Sequence, residues 1–146
     1  MEHIIAQRGG FEISTDPVRL DLDLVCGVLA KTYWAEGIAR DAIEESIRNA
    51  LAFGLYGGEG AQVGFARVVT DGVRMAYLSD LFILEELQGR GLGKWLMESI
   101  FGYEGLGEVL RWFLNTRDAQ DFYYPLGFED IPPGQMMVRA APGVAD

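Results

Sequence analysis

Apolar residues recur along this chain in two rhythms, and the switching between them lays out its elements. A short strand is expected over Phe11 to Thr15. Asp21 then precedes Leu24, Val25, Val28 and Leu29, the three-to-four spacing of one helix face behind an acidic cap. A loop holding Tyr33, Trp34 and Gly37 leads to a second helix over 39–50, with Ile43, Ile47 and Ala50 on one side. Its first turns carry Glu44 and Glu45, where the helix dipole favours them. Three strands follow. Residues 51–56 run into the turn Gly57-Gly58-Glu59-Gly60, and 61–70 is rich in Val and Phe. Asp71-Gly72 is a two-residue hairpin signal, so 73–84 should return antiparallel. A helix fits 91–103 with Leu92, Trp95, Leu96 and Ile100 inward, then a strand 109–115, a short helix 118–124 and a last strand 136–140. Residues 142–146 read as a frayed tail.

The order β-α-α-β-β-β-α-β-α-β joins 73–84, 91–103 and 109–115 into one βαβ unit, whose two strands must run parallel. The fold class is α/β in the mixed α+β sense: a mixed sheet carrying helices. With 146 residues, 49% hydrophobic and 23% charged, the chain suits one globular domain over 1–146.

Charge narrows the partners. Twelve Lys and Arg against 22 Asp and Glu give a net charge of −10. Such a chain is repelled by phosphate backbones and anionic lipid, which argues against nucleic acid and membrane surfaces. The lone Cys26 can form neither an internal disulfide nor a multi-thiolate metal site. It lies beside the apolar stripe Val25-Val28-Leu29 and reads as buried and inert. No metal-ligand cluster stands out. The start, Met1 to Ile5, lacks the basic and apolar regions of a signal peptide, and no apolar run approaches the ~20 residues of a membrane span. A cytoplasmic setting is expected.

The chemistry concentrates in Gln88-Gly89-Arg90-Gly91-Leu92-Gly93-Lys94, between the longest strand and the best amphipathic helix. Glycines at a helix entrance let an anion approach the backbone, where first-turn N–H groups and the dipole favour it. Arg90 and Lys94 add local positive charge, so a phosphate-bearing ligand is the natural inference. Spacing excludes two other phosphate loops. Gly93-Lys94 is followed by Trp95, which breaks GxxxxGK[ST], and neither Gly89-x-Gly91 nor Gly91-x-Gly93 meets a glycine at the third position of GxGxxG.

The loop instead fits Q/R-x-x-G-x-G/A, and with it the sequence resembles the GNAT superfamily of acyl-CoA-dependent N-acetyltransferases. The likeness runs from about Phe11 to Ala140. It rests on the order of elements, the loop from Gln88 to Gly93, and the segment Asn115-Thr116-Arg117-Asp118-Ala119 through Tyr123-Tyr124-Pro125-Leu126-Gly127-Phe128. That segment looks like the family's short helix with a tyrosine before Gly-Phe. The resemblance implies a mostly antiparallel sheet of six to seven strands, about four flanking helices, and acetyl-CoA as co-substrate. It implies that the pantetheine arm pairs with the backbone of Phe82, Ile83 and Leu84. The pyrophosphate would rest on Gly89, Arg90, Gly91, Leu92, Gly93 and Lys94, and Asn115 would bond the arm. Gln88 stands where arginine is commoner and Glu85 where proline often follows the strand; neither disturbs a site of backbone N–H groups.

Direct transfer in a ternary complex to the primary amine of a small molecule is the reaction implied, with dimers common among similar proteins. A primary amine near pKa 10.4 costs roughly 4–5 kcal/mol to present neutral at pH 7. A base, usually reached through water, eases that step, and the departing thiolate benefits from a proton donor. Tyr123 occupies the tyrosine position and is the candidate acid; Tyr124, adjacent, stands second. Asp80 is the candidate base, as the only acid from Met75 to Leu84. In a two-residue hairpin it faces Val63, while Arg67 faces Ala76 about 13 Å along the strand, so no cation pairs with it. Tyr33, Trp34 and Glu36 belong to a loop that often covers the acceptor in proteins like this, and Trp34 suits a cation–π contact with an amine. Trp95 and Trp112 read as core. Two other readings keep the same loop: a non-catalytic acyl-CoA sensor, and a protein- or peptide-directed acetyltransferase with a groove open to a chain.

Overall fold

The computed structural model describes residues 3–144. It divides into two compact units, Met1–Asn115 and Thr116–Asp146. The first holds a six-stranded sheet in sequential order, β1 (Ile4–Arg8), β2 (Phe11–Ser14), β3 (Leu51–Tyr56), β4 (Gln62–Thr70), β5 (Met75–Ile83) and β6 (Arg111–Phe113). All neighbours are antiparallel except β5 and β6, which are parallel as the βαβ reading requires. Helices α1 (Leu22–Leu29), α2 (Arg40–Arg48) and α3 (Leu92–Phe101) complete this unit, and α4 (Gln120–Tyr123) lies in the second.

Each helix has a local cause. Asp21 caps α1, its carboxylate accepting from the Leu24 N–H, and the Leu24 stripe drives Val25, Cys26 and Leu29 into the interior. On α2, Ile43 and Ile47 are buried, and Arg40 bridges Asp23 of α1 and Glu44 one turn on. These side chains meet Phe65 of β4 and Phe82 of β5 in one cluster, so α1 and α2 cover one face of the sheet. The α3 stripe is buried as expected, through Leu92, Trp95, Leu96 and Ile100. Its end returns Tyr103 edge-on to Phe53 of β3, at 5.3 Å between ring centres.

Four expectations are corrected. A strand, β1, precedes the first one expected and pairs with it across Gly9 and Gly10, both at positive φ. No strand forms over 136–140, where Met137 and Val138 are almost fully exposed. Apolar composition suggested a strand there, but the described residues give it no ladder partner. Strand 109–115 shrinks to Arg111–Phe113, and the short helix to one turn followed by the 3-10 turn Tyr124–Leu126. The expected tail over 142–146 lies partly outside the described residues.

The fourth correction reshapes the site. The β4–β5 turn is longer than two residues, because the Asp71 carboxylate accepts from the N–H groups of Val73, Arg74 and Met75 and holds them in the loop. Thr70 therefore pairs with Ala76, and Arg67 with Ser79. The register shifts again between Phe65 and Arg67: Phe65 pairs with Phe82, so Asp80 and Leu81 together oppose Ala66. This is a β-bulge. Asp80 sits in it at φ +59°, the one non-glycine residue at positive φ among the described residues.

Candidate active site

Two strand ends and a helix start make the first part of the site. The parallel pairing of β5 with β6 ends at Tyr77 opposite Phe113. From Leu78 to Ile83 that edge of β5 has no strand partner among the described residues. Backbone groups of successive residues in an antiparallel strand point to opposite edges. Leu84 gives its N–H to the Val63 carbonyl at 2.9 Å, so Leu84 and, two back, Phe82 turn toward β4, while Ile83 turns to the open edge. Of Phe82, Ile83 and Leu84, only Ile83 therefore presents its main chain there. The Phe82 side chain is spent on the core under α1 and α2.

Gln88 closes the strand end by donating from Nε2 to the Ile83 carbonyl at 2.9 Å. That bond fastens the loop to the end of β5. Gly89 and Gly91 then take φ +83° and +79°, left-handed values that a side chain would strain. A Cβ on either would meet no atom within 4 Å, so their conformation, not lack of room, calls for glycine. Gly91 caps α3 with no side-chain partner. None of the N–H groups from Gly89 to Lys94 donates to a protein acceptor among the described residues. Arg90 and Lys94 are exposed and in no ion pair there, while Leu92 is buried and anchors the turn. A row of free N–H groups at a helix start with two unpaired cations beside it fits a phosphate-bearing ligand.

The second part lies on the α1–α2 face. Asp80 does not stand alone, contrary to the two-residue-turn register. Its Oδ2 accepts from Arg67 Nε at 2.8 Å, and its Oδ1 from the Trp34 indole Nε1 at 2.8 Å. Arg67 donates a further bond, from Nη2 to the Ser79 hydroxyl at 3.1 Å. Both charged side chains are largely buried, 17% and 8% exposed. The register error hid this pair, yet the signal was in the sequence: one arginine in the apolar 61–70 and one aspartate in the apolar 75–84. Trp34 and Tyr33 form an edge-on aromatic pair at 5.1 Å, and both are partly exposed, as is Glu36 two residues on.

Asn115 is exposed, two residues past β6. In the second unit Tyr123 is half-buried, its ring edge-on to Phe122 at 4.9 Å and to Phe128 at 5.6 Å. The Phe128 N–H bonds its carbonyl at 3.4 Å. Tyr124 differs: its hydroxyl is held on the Asp130 carboxylate at 2.9 Å, which pushes the phenol above its ordinary range. Among the described residues no group of His, Cys, Asp and Glu could hold a metal ion, and no helix is long and apolar enough to cross a membrane.

Known proteins share this fold. The sequence model of the GNAT acetyltransferase domain matches residues 49–130, from β3 through the tyrosine segment. A protein of Gibberella zeae, provisionally named an acetyltransferase, is 34% identical across 84% of this chain and 81% of its own. The crystal structure of a GNAT-family protein from Xanthomonas campestris pv. campestris, likewise provisionally named an acetyltransferase, superposes with a TM-score of 0.86. It is 36% identical, over 94% of this chain and 98% of that one. A Staphylococcus aureus structure of unknown function, thought to be an acetyltransferase, gives a TM-score of 0.72 at 25% identity, over 89% and 99% of the two chains. The domain match, the 34% identical relative and the shared fold agree, and the chain belongs to the GNAT acetyltransferase family.

Proposed function

We propose that the protein transfers an acetyl group from acetyl-CoA to the primary amine of a small molecule, directly and within a ternary complex. The observation that carries this reading is the continuity of the open β5 edge with the free N–H groups of Gly89 to Lys94. A pantetheine amide needs a strand edge, and a pyrophosphate needs a cluster of N–H donors. Here one leads into the other. Ile83 would meet the arm, Arg90 and Lys94 would balance the phosphates, and Asn115 would bond the arm from beyond β6. Acetyl-CoA supplies the thioester; the protein's part is to orient it, shed water and move protons.

Tyr123 is the proton donor of this proposal, giving its phenolic proton to the departing thiolate. Tyr124, already committed to Asp130, is the poorer candidate. The amine reaches the site charged and must lose a proton, a step worth roughly 4–5 kcal/mol at pH 7. Any proton passed to Asp80 would have to be accepted by an oxygen already bound to Arg67 or Trp34. A water chain is the simpler route. Tyr33, Trp34 and Glu36 would cover the acceptor.

The test is thiol release from acetyl-CoA against pooled amines (polyamines, amino acids, aminoglycosides, short peptides), with wild type and Tyr123→Phe side by side. Amine-dependent release that falls about 10²-fold or more in the variant is the expected result, the scale of a general acid. Equal rates would remove Tyr123 from the mechanism. Acetyl-CoA binding with no release for any pool would favour a sensor, and release with peptides alone a protein-directed enzyme.

A further inference from the structure

We propose that Asp80 is a positioning residue, a carboxylate latch that ties the 30–39 loop to the bulge in β5, and not the group that takes the amine proton. The inference rests on the reading of the site as an acetyltransferase and concerns how that site is held.

Three pieces of chain meet on this one side chain. Arg67 comes from β4, Trp34 from the loop between α1 and α2, and Asp80 itself from β5. The two bonds use different oxygens at the same 2.8 Å, so neither displaces the other. Arg67 has no other acidic partner among the described residues, and its Nη2 donates to Ser79, Asp80's neighbour on β5. The guanidinium is therefore directed at the bulge from both sides. Removing the carboxylate would leave a largely buried cation without its counter-charge, a costly change.

Where the latch sits gives it its consequence. Asp80 holds a left-handed backbone that aspartate tolerates better than most residues but that still needs external support. The parallel ladder to β6 stops at Tyr77, just before the bulge, and the open edge continues past it to Ile83. The bulge thus sits where β5 parts from β6, and Arg67–Asp80 fixes it. On the other oxygen hangs Trp34, 43% exposed, whose indole N–H bonds only Asp80 among the described residues. Tyr33 stacks edge-on against it. One carboxylate therefore sets both the course of the strand edge and the seat of the aromatic loop.

A base and a latch respond differently to the same substitutions. Asp80→Asn keeps a residue that tolerates positive φ and an amide oxygen for Trp34, but loses the charge; Arg67→Met removes the charge from the other side. A latch requires both single variants to lose similar activity, and the double variant to lose no more than the worse single, the signature of a shared interaction. The acid limb of the kcat profile keeps its shape in all three. A base instead predicts an Asp80→Asn loss of about 10²–10⁴-fold with the acid limb gone, well beyond the loss in Arg67→Met. That outcome overturns the proposal.

A second measurement needs no turnover. The three indole N–H signals in a ¹H–¹⁵N spectrum are assigned with Trp34→Phe, and their exchange with solvent is followed in wild type and Asp80→Ala. The expected result is that Trp34 alone shifts and exchanges faster, with Trp95 and Trp112 unmoved; a Trp34 signal that stays put overturns the latch. Acetyl-CoA is titrated into the same wild-type sample. If it does not bind, the functional reading falls, and the indole signals alone decide the latch.

Discussion

Asp71 carries a stability effect that can be read directly. Its carboxylate accepts from three successive N–H groups, which hold the acid below the ordinary carboxylate range in the folded chain. The stabilisation is complete above about pH 4, where the unfolded chain is ionised, and is lost as the pH falls through the lower folded value. Asparagine is an isostere of the protonated acid. Urea midpoints of wild type and Asp71→Asn should differ at neutral pH and draw together as the pH falls below the ordinary aspartate range; a gap that does not narrow would place the effect elsewhere. Tyr56 shows the opposite case. Its hydroxyl is buried with no hydrogen-bond partner among the described residues, and burial pushes the phenol up to about 12. Tyr56→Phe should be neutral or stabilising by up to about 1 kcal/mol at pH 7, and its advantage should widen above about pH 10, where unfolded tyrosine ionises and the buried one resists. The ring also lies over Gly54: a Cβ there would come within 2.3 Å of the Tyr56 oxygen. Gly54→Ala should cost about 1–3 kcal/mol by thermal or urea unfolding.

Among elements, the entrance to α3 is where local conformation and ligand contact coincide. Gly91 is both its cap and a left-handed residue. Gly91→Ala should cost about 1–2 kcal/mol in stability and weaken acetyl-CoA by more than that factor, measured by calorimetric titration, since the N–H row is re-aimed. An effect on stability alone would separate the loop from the ligand. This element was legible in the sequence, because glycine spacing and a helical stripe are local properties, and Leu92, Trp95, Leu96 and Ile100 are buried as their spacing demands. Elements fixed by side chains at a distance were not. Asp71-Gly72 looks like a tight hairpin, yet Asp71 binds three following N–H groups and moves the register, and the bulge at Asp80 moves it again. Those two shifts turned Arg67 from a distant residue into Asp80's partner. β1 could have been found: Gly9-Gly10 between Ile4–Arg8 and Phe11–Ser14 is itself a hairpin signal. The apolar run Met136-Met137-Val138 misled, because β propensity speaks of what a sheet would accept and not of whether a sheet is there.

At the scale of the whole molecule the charge is −10, and Arg90 and Lys94 sit in the glycine loop with the other sign. An anionic ligand thus meets long-range repulsion and short-range attraction, both weakened by salt. In Arg90→Ala/Lys94→Ala the repulsion dominates. Stopped-flow association of acetyl-CoA should therefore quicken with added salt in the double variant; slowing would mean that other cations guide the ligand. The parting of β5 from β6 has a consequence of another kind. Among the described residues no strand pairs with the open edge of β5 from Leu78 to Ile83, and a ligand that fills it acts as part of the fold. Binding at a hundred times Kd adds about 2.7 kcal/mol to stability. The amide of Ile83, slow to exchange only when the ligand is present, would report it. A protein completed in this way persists best where its ligand is plentiful; with acetyl-CoA as the proposed ligand, its abundance would follow the cell's acetyl-CoA supply with no regulator between them.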